Sequence, residues 1–129
     1  MLSYFAEQAE HEEISMTVRV DSPAILNISA NDLCVILSNT LENAINECKT
    51  LPSVDKRFIR VYIYKKKENI FISIQNSSKC HISFKNGIPV THEKGHGMGC
   101  KSIRMAVEKN GGICSFGLEE DCFTFRAML

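Results

Sequence analysis

The sequence lacks a charge surplus of either sign. Its 129 residues hold 15 lysines and arginines against 15 aspartates and glutamates. That balance argues against a nucleic-acid binder working through a broad basic surface, so no nucleic-acid partner is expected. It leaves room for a small local site for an anion. No apolar run reaches the roughly 18–20 residues of a transmembrane helix. The opening Met1-Leu2-Ser3-Tyr4-Phe5-Ala6-Glu7-Gln8 has no basic segment ahead of an apolar one, so it does not read as a signal peptide. None of the six cysteines (Cys34, Cys48, Cys80, Cys100, Cys114, Cys122) stands in a Cys-x-x-Cys pair, which argues against structural zinc. Cys34 and Cys48 fall on one helical pattern, too far apart along its axis to bridge. The thiols are expected to be reduced and mostly buried, in a cytoplasmic protein.

What is present suits a globular domain. Apolar residues make up 44% of the chain, enough for a core and too much for disorder. The length fits one domain, 1–129. Residues 2–12 read as a short helix and 14–20 as a strand of period two, broken at Asp21-Ser22-Pro23. Residues 24–28 can add a short strand. The strongest helix follows, capped by Ser29 or Asn31, with Leu33, Ile36, Leu37, Leu41, Ala44, Ile45 and Cys48 as its apolar stripe, and it stops at Leu51-Pro52-Ser53. Residues 58–64 and 70–75 form a hairpin about the charged turn Lys65-Lys66-Lys67-Glu68-Asn69, which reads as a solvated turn. From 76 to 95 regularity fails, and so long a loop suggests a lid or binding loop. A helix containing Ile103, Ala106 and Val107 ends at Asn110-Gly111-Gly112, and residues 113–118 and 122–128 make a last hairpin.

Three constellations carry chemical interest. Asn39, Asn43 and Asn46 lie at i, i+4 and i+7, on one face of the long helix. Asparagine is costly inside a helix because its amide competes for backbone hydrogen bonds. The stripe is either a solvated polar face or a row of neutral oxygen ligands suited to Mg²⁺, which leans on substrate phosphates. Second, Gly95-His96-Gly97-Met98-Gly99-Cys100-Lys101-Ser102-Ile103 places glycines where a loop becomes a helix. There the backbone can approach a phosphate, with free N–H groups and the positive helix end aimed at it. It is neither a Rossmann fingerprint nor a Walker loop. Third, Ile72-Ser73-Ile74-Gln75-Asn76-Ser77-Ser78 ends a strand in an amide able to donate to and accept from a heterocycle edge.

In this order the elements resemble the ATP-binding fold of the gyrase, Hsp90, histidine kinase and MutL superfamily. Within it, the chain is similar to the catalytic domain of quorum-sensing histidine kinases of the accessory gene regulator (AgrC-like) type, over nearly its whole length. The segment from Asp32 to Cys48 resembles the N box and is the most specific. His96-Gly97-Met98-Gly99-Cys100-Lys101-Ser102-Ile103 resembles the G2 box. Ile74-Gln75-Asn76-Ser77 stands where most of the superfamily has an Asp-x-Gly-x-Gly box, with Asn in place of the Asp and the glycines lost.

The resemblance implies an α/β (α+β) two-layer sandwich, a mixed and mostly antiparallel sheet with helices on one face. It implies ATP and Mg²⁺ as ligands. Asn43 matches the metal-coordinating Asn, Asn39 a residue near metal and phosphates, and Asn76 the adenine reader. Gly97 and Gly99 match phosphate-loop glycines, while Lys94, His96, Met98 and Lys101 complete the ATP-binding set. Residues 77–95 match the ATP lid. The acceptor histidine is expected on a separate dimerisation domain of the same kinase, and His11 reads as a surface residue. Further expectations are a response regulator of the LytTR type and a membrane-bound homodimeric bacterial sensor kinase whose cytoplasmic part includes this domain. A serine kinase of the anti-sigma type and an inactive nucleotide-binding module remain open alternatives. Glu42 and Glu47 flank the expected site.

Overall fold

The computed structural model describes residues 2–21, 30–79, 83–90 and 96–129. The fold is built on a long hairpin, β2 (Phe58–Lys66) and β3 (Asn69–Ser77). Period-two alternation buries Ile59, Val61 and Ile63 from β2 and Ile70, Ile72 and Ile74 from β3, all on one face. Each strand outruns its sequence-based span, so the charged turn shrinks to Lys67 and Glu68. On the outer flank of β2, β1 (Ser15–Val20) pairs in parallel. A parallel pair needs a crossover, and α2 (Ala30–Lys49) lies in it. On the other flank, β7 (Cys122–Met128) pairs antiparallel with β3 and with β6 (Ile113–Glu119). The resulting sheet order is β1-β2-β3-β7-β6.

Helices α1 (Leu2–His11), α2 and α3 (His96–Lys109) cover the apolar face. Ile36, Leu41, Ala44 and Cys48 of α2 and Ile103 and Val107 of α3 meet Ile72, Ile74 and Phe125 of the sheet in one core. This is the expected two-layer sandwich. No helix among the described residues is long and apolar enough to cross a membrane.

Several expectations change. Asn31 lies inside the first turn of α2 and not at its cap, while Ser29 and the strand expected at 24–28 fall outside the described residues. The stretch from 76 to 95 is not wholly irregular, for β4 (Ser83–Lys85) and β5 (Ile88–Val90) form a small hairpin. Asn86 and Gly87 at its tip have φ of 54° and 76°, the mirror-image turn that two-residue hairpins favour. Cys34 is exposed, while Cys48 and Cys100 are buried, and Cys80 is outside the described residues.

Helix α3 ends in a paired closure. Gly111 N–H donates to Glu108 O (2.9 Å) and Gly112 N–H to Val107 O (3.0 Å), with Gly111 at φ 76°. Gly112 lies against the last strand, where an added Cβ would sit 2.5 Å from the Met128 carbonyl oxygen. Gly112→Ala is therefore expected to cost about 1–3 kcal/mol, because a backbone atom must give way. A lowered urea midpoint with unchanged slope checks this.

Candidate functional site

Helices α2 and α3 lie side by side, with the first turn of α3 against the middle of α2. At the point of contact is Gly99. A Cβ placed there would stand 3.7 Å from Asn43 Nδ2, 3.8 Å from Asn39 Oδ1 and 3.9 Å from Asn43 Oδ1. The two amide nitrogens are already engaged. Asn39 Nδ2 donates to Val35 O one turn back (2.9 Å), and Asn43 Nδ2 points to Cys100 Sγ (3.8 Å). The Asn39 oxygen and both ends of the Asn43 amide border the start of α3, the oxygens free to accept. Two neutral oxygens thus meet a helix N-terminus whose first N–H groups lack intrahelical partners and whose first turn holds no acidic residue.

The buried end of β3 forms a second polar group, against the C-terminal end of α2. Asn76 is 2% exposed, and its Nδ2 donates to Ser77 O at 3.0 Å. Beside it, Ser77 Oγ accepts from Phe58 N–H (3.0 Å) and lies 3.5 Å from Cys48 Sγ, while Ser78 Oγ donates to Glu47 Oε2 (3.0 Å). Ser78 N–H also donates to Asp121 O at 2.8 Å. The chain leaving β3 is therefore fastened to α2, to β2 and to the β6–β7 turn.

Other candidates separate from this cluster. Asn46 and Glu42 line a groove of about 300 Å³ between α1 and α2, with Tyr4, Phe5 and Gln8. The asparagine stripe therefore splits, and only Asn39 and Asn43 meet α3. His96, Gly97 and Met98 lie in the first turn of α3 by their backbone, and Lys101 is exposed one turn on. Lys94 and Gly95 lie outside the described residues.

Among the described residues, no group of histidine, cysteine, aspartate and glutamate side chains is placed to hold a metal. A cation here would have to use amide oxygens together with ligand phosphates, and a hard ion that keeps several waters fits that donor set. Burial pushes the Cys100 thiol from 9.0 up to about 11, with nearby Cys114 adding to the shift. The group beside Asn43 is thus a neutral thiol at physiological pH.

That shift has a pH consequence. A raised acid pKa means that the folded chain keeps a proton the unfolded chain has lost, so the stabilisation is intact below pH 9.0 and falls as pH rises towards 11. Cys48 and Cys114 shift in the same direction, chiefly by burial. Denaturant melts at about pH 8 and about pH 10.5 should show the loss, and Cys100→Ala should shrink it.

The sequence model of the GHKL domain matches residues 28–129. The chain belongs to the GHKL family. No curated protein matches this GHKL chain in sequence. Its fold is shared with the nucleotide-free catalytic domain of histidine kinase ThkA, at a TM-score of 0.75 and 17% identity over 98% of this chain and 86% of that one. The mycobacterial sensor histidine kinase MprB gives 0.69 at 16% identity, over 98% and 89%. The Acinetobacter baumannii histidine kinase AdeS gives 0.70 at 11% identity, covering 99% of this chain and 59% of that one.

The segments holding Cys100, Ser77 and Ser78 are visible in the sequence, but their partners are not: Cys100 meets Asn43, Ser77 meets Cys48 and Ser78 meets Glu47 at 3.0 Å only through folding.

Proposed function

We propose that this GHKL domain binds Mg-ATP and presents it for phosphoryl transfer to a histidine on a separate dimerisation domain of the same kinase. The observation that carries the reading is the pair of amide oxygens, Asn39 Oδ1 and Asn43 Oδ1, both held within 4 Å of the Cβ position of Gly99. Asn43, with Asn39 beside it, would hold the metal. Bound Mg²⁺ supplies charge neutralisation at the phosphates. The backbone N–H groups at Gly97 and Gly99 would receive phosphate oxygens, with Lys94, His96, Met98 and Lys101 around them. Asn76, at the buried end of β3, would read the adenine edge with a neutral amide.

The chain's own contribution is positioning. Phosphoryl transfer has little covalent chemistry for a protein to perform, so a fixed triphosphate and an in-line nucleophile are the main requirements. The acceptor imidazole would come from the partner domain. The finer assignment is a quorum-sensing sensor kinase of the AgrC-like type, a membrane-bound homodimer with this domain on its cytoplasmic side, passing its phosphoryl group to a LytTR-type response regulator. The family match and the shared fold with kinase catalytic domains support the nucleotide-binding part of the reading, and the finer assignment rests on the resemblance of the Asp32–Cys48 and His96–Ile103 segments.

The test supplies a purified histidine-bearing helical hairpin of the cognate kinase together with Mg-ATP. Acid-labile, base-stable phosphate on the hairpin is expected, and its absence with Mg-ATP bound would overturn the transfer step. Phosphate on a serine of a supplied partner instead would favour the serine-kinase alternative. A calorimetric titration without heat would overturn nucleotide binding itself.

A further inference from the structure

The lysine run of the β2–β3 turn takes no part in the cluster above, and its setting suggests a second role. The face of the sheet opposite the helices carries one continuous row across four strands. Register places Tyr64 beside Phe71, Phe71 beside Met128, and Met128 beside Ile113. Ile113 is 66% exposed, and the other three are half-buried. Lys66, on the same face of β2 as Tyr64, and Lys67 in the turn stand exposed at one end of this row, while Lys65 is exposed but pairs with buried Ile70 on the helical side. Among the described residues, no ion pair engages any of the three. Arg19, Arg60 and Arg126, all exposed, occupy the neighbouring rows of the same face.

Most acids lie elsewhere. Asp21, the carboxylate beside this row, is taken by Arg19 at 3.0 Å and Tyr62 at 2.7 Å. Glu68 sits in the turn and Glu119 at the far end of β6, whereas Glu7, Glu10, Glu12 and Glu13 gather about α1 on the helical side. The neutral total of the chain therefore hides a segregated surface, basic on the open sheet and acidic around α1.

We propose that this open sheet face docks on an anionic phospholipid surface, with Tyr64, Phe71, Met128 and Ile113 at the headgroup level and Lys66 and Lys67 as its main electrostatic contact, Lys65 reaching round from the strand end. A row one side chain deep on an open sheet face suits a plane of headgroups. Lysines act as point charges on flexible stems, which matches a diffuse anionic field rather than a forked, fixed partner. Tyrosines at the rim place their hydroxyls in the wet layer and their rings in the apolar one. Nucleic-acid stacking fits less well, because the ring faces are spent. Tyr64 and Phe71 stack on each other at 5.0 Å and 8°, and Arg60 covers Phe58 at 4.3 Å. This inference is independent of the Mg-ATP reading.

Vesicle sedimentation with the 129-residue chain tests it. Vesicles of phosphatidylcholine alone are compared with vesicles containing phosphatidylglycerol. Each lysine near an anionic surface adds about fivefold to partitioning. The expected result is binding to the anionic vesicles only, lost at high salt. It should weaken by at least about tenfold when Lys65, Lys66 and Lys67 are replaced together by Gln, since not every turn lysine reaches the surface at once. Ile113→Ser should weaken it several-fold through the apolar contact alone. All four positions are exposed, so thermal melts should stay unchanged. Equal binding to neutral vesicles, an unchanged triple variant, or a preference for a single-stranded oligonucleotide over anionic vesicles would each overturn the proposal.

Discussion

Asn43→Ala is expected to weaken Mg-ATP binding by about 100-fold while leaving thermal stability near that of the parent chain. Removal of an outer-shell partner of a bound metal already costs about 10–100-fold, and Asn43 is proposed to touch the metal directly. Stability should change little because the Asn43 side chain contributes no apolar burial and its own hydrogen bond reaches a sulfur atom at 3.8 Å. Asn43→Asp separates two effects. It keeps an oxygen at the same place and adds a charge that attracts the cation but repels the phosphates, so metal dependence should steepen and metal-free nucleotide binding should fall. Isothermal calorimetry with ATP, with and without Mg²⁺, reads both. Equal Mg-ATP binding by Asn43→Ala and the parent chain would sink the metal role while leaving nucleotide binding to be judged on its own titration.

The long helix is legible in the chain because its signal is local. Leu37, Leu41, Ala44 and Cys48 repeat at the helical period and are all buried as that period requires. The β2–β3 hairpin is legible for the same reason, through strict alternation. What the chain does not display is which faces meet. Asn43 and Cys100 are 57 positions apart, and nothing local joins them. Asn46 lies on the same wheel as Asn39, yet α1 has folded against that side of α2, so Asn46 lines a different groove. A helical wheel assigns a face but does not name the neighbour. The β4–β5 hairpin escapes for a different reason. Its strands are three residues long, too short to display a period of two, although Asn86-Gly87 carries a hairpin turn signal. Helix α3 starts at His96, so Gly97 and Gly99 lie within its first turn and not ahead of it. Glycine tracts read as loop by propensity, but at a helix N-terminus the unsatisfied N–H groups make the same residues useful.

Arg57→Ala is expected to cost about 2–4 kcal/mol of stability. The reason lies at the C-terminal end of α2, which stops at Leu51-Pro52 without a left-handed glycine to close it. Thr50 and Leu51 N–H close on Glu47 O and Cys48 O at 3.1 Å each, and Arg57 takes the carbonyls that follow. Arg57 Nε and Nη2 donate to Leu51 O at 3.1 and 2.8 Å, and Nη2 also reaches Lys49 O at 3.4 Å. Arg57 Nη1 donates to Glu12 O at 2.7 Å, in the turn between α1 and β1. One guanidinium thus joins α1, α2 and the start of β2, and its charge sits at the negative end of the α2 dipole. Truncation would strand several carbonyls in a half-buried corner, a larger penalty than the net worth of the bonds themselves. Arg57→Lys should recover less than half of the loss, because an ammonium cannot span three acceptors with a planar fork. Guanidinium chloride unfolding of the three chains checks both values. The same corner also bears on the site. Glu47 and Cys48, which hold Ser78 and Ser77, lie in the last turn that Arg57 closes. Arg57→Ala should therefore weaken Mg-ATP binding several-fold through the base of the β3 exit, whereas Gly112→Ala, which strains the far end of α3, should lower stability and leave affinity unchanged.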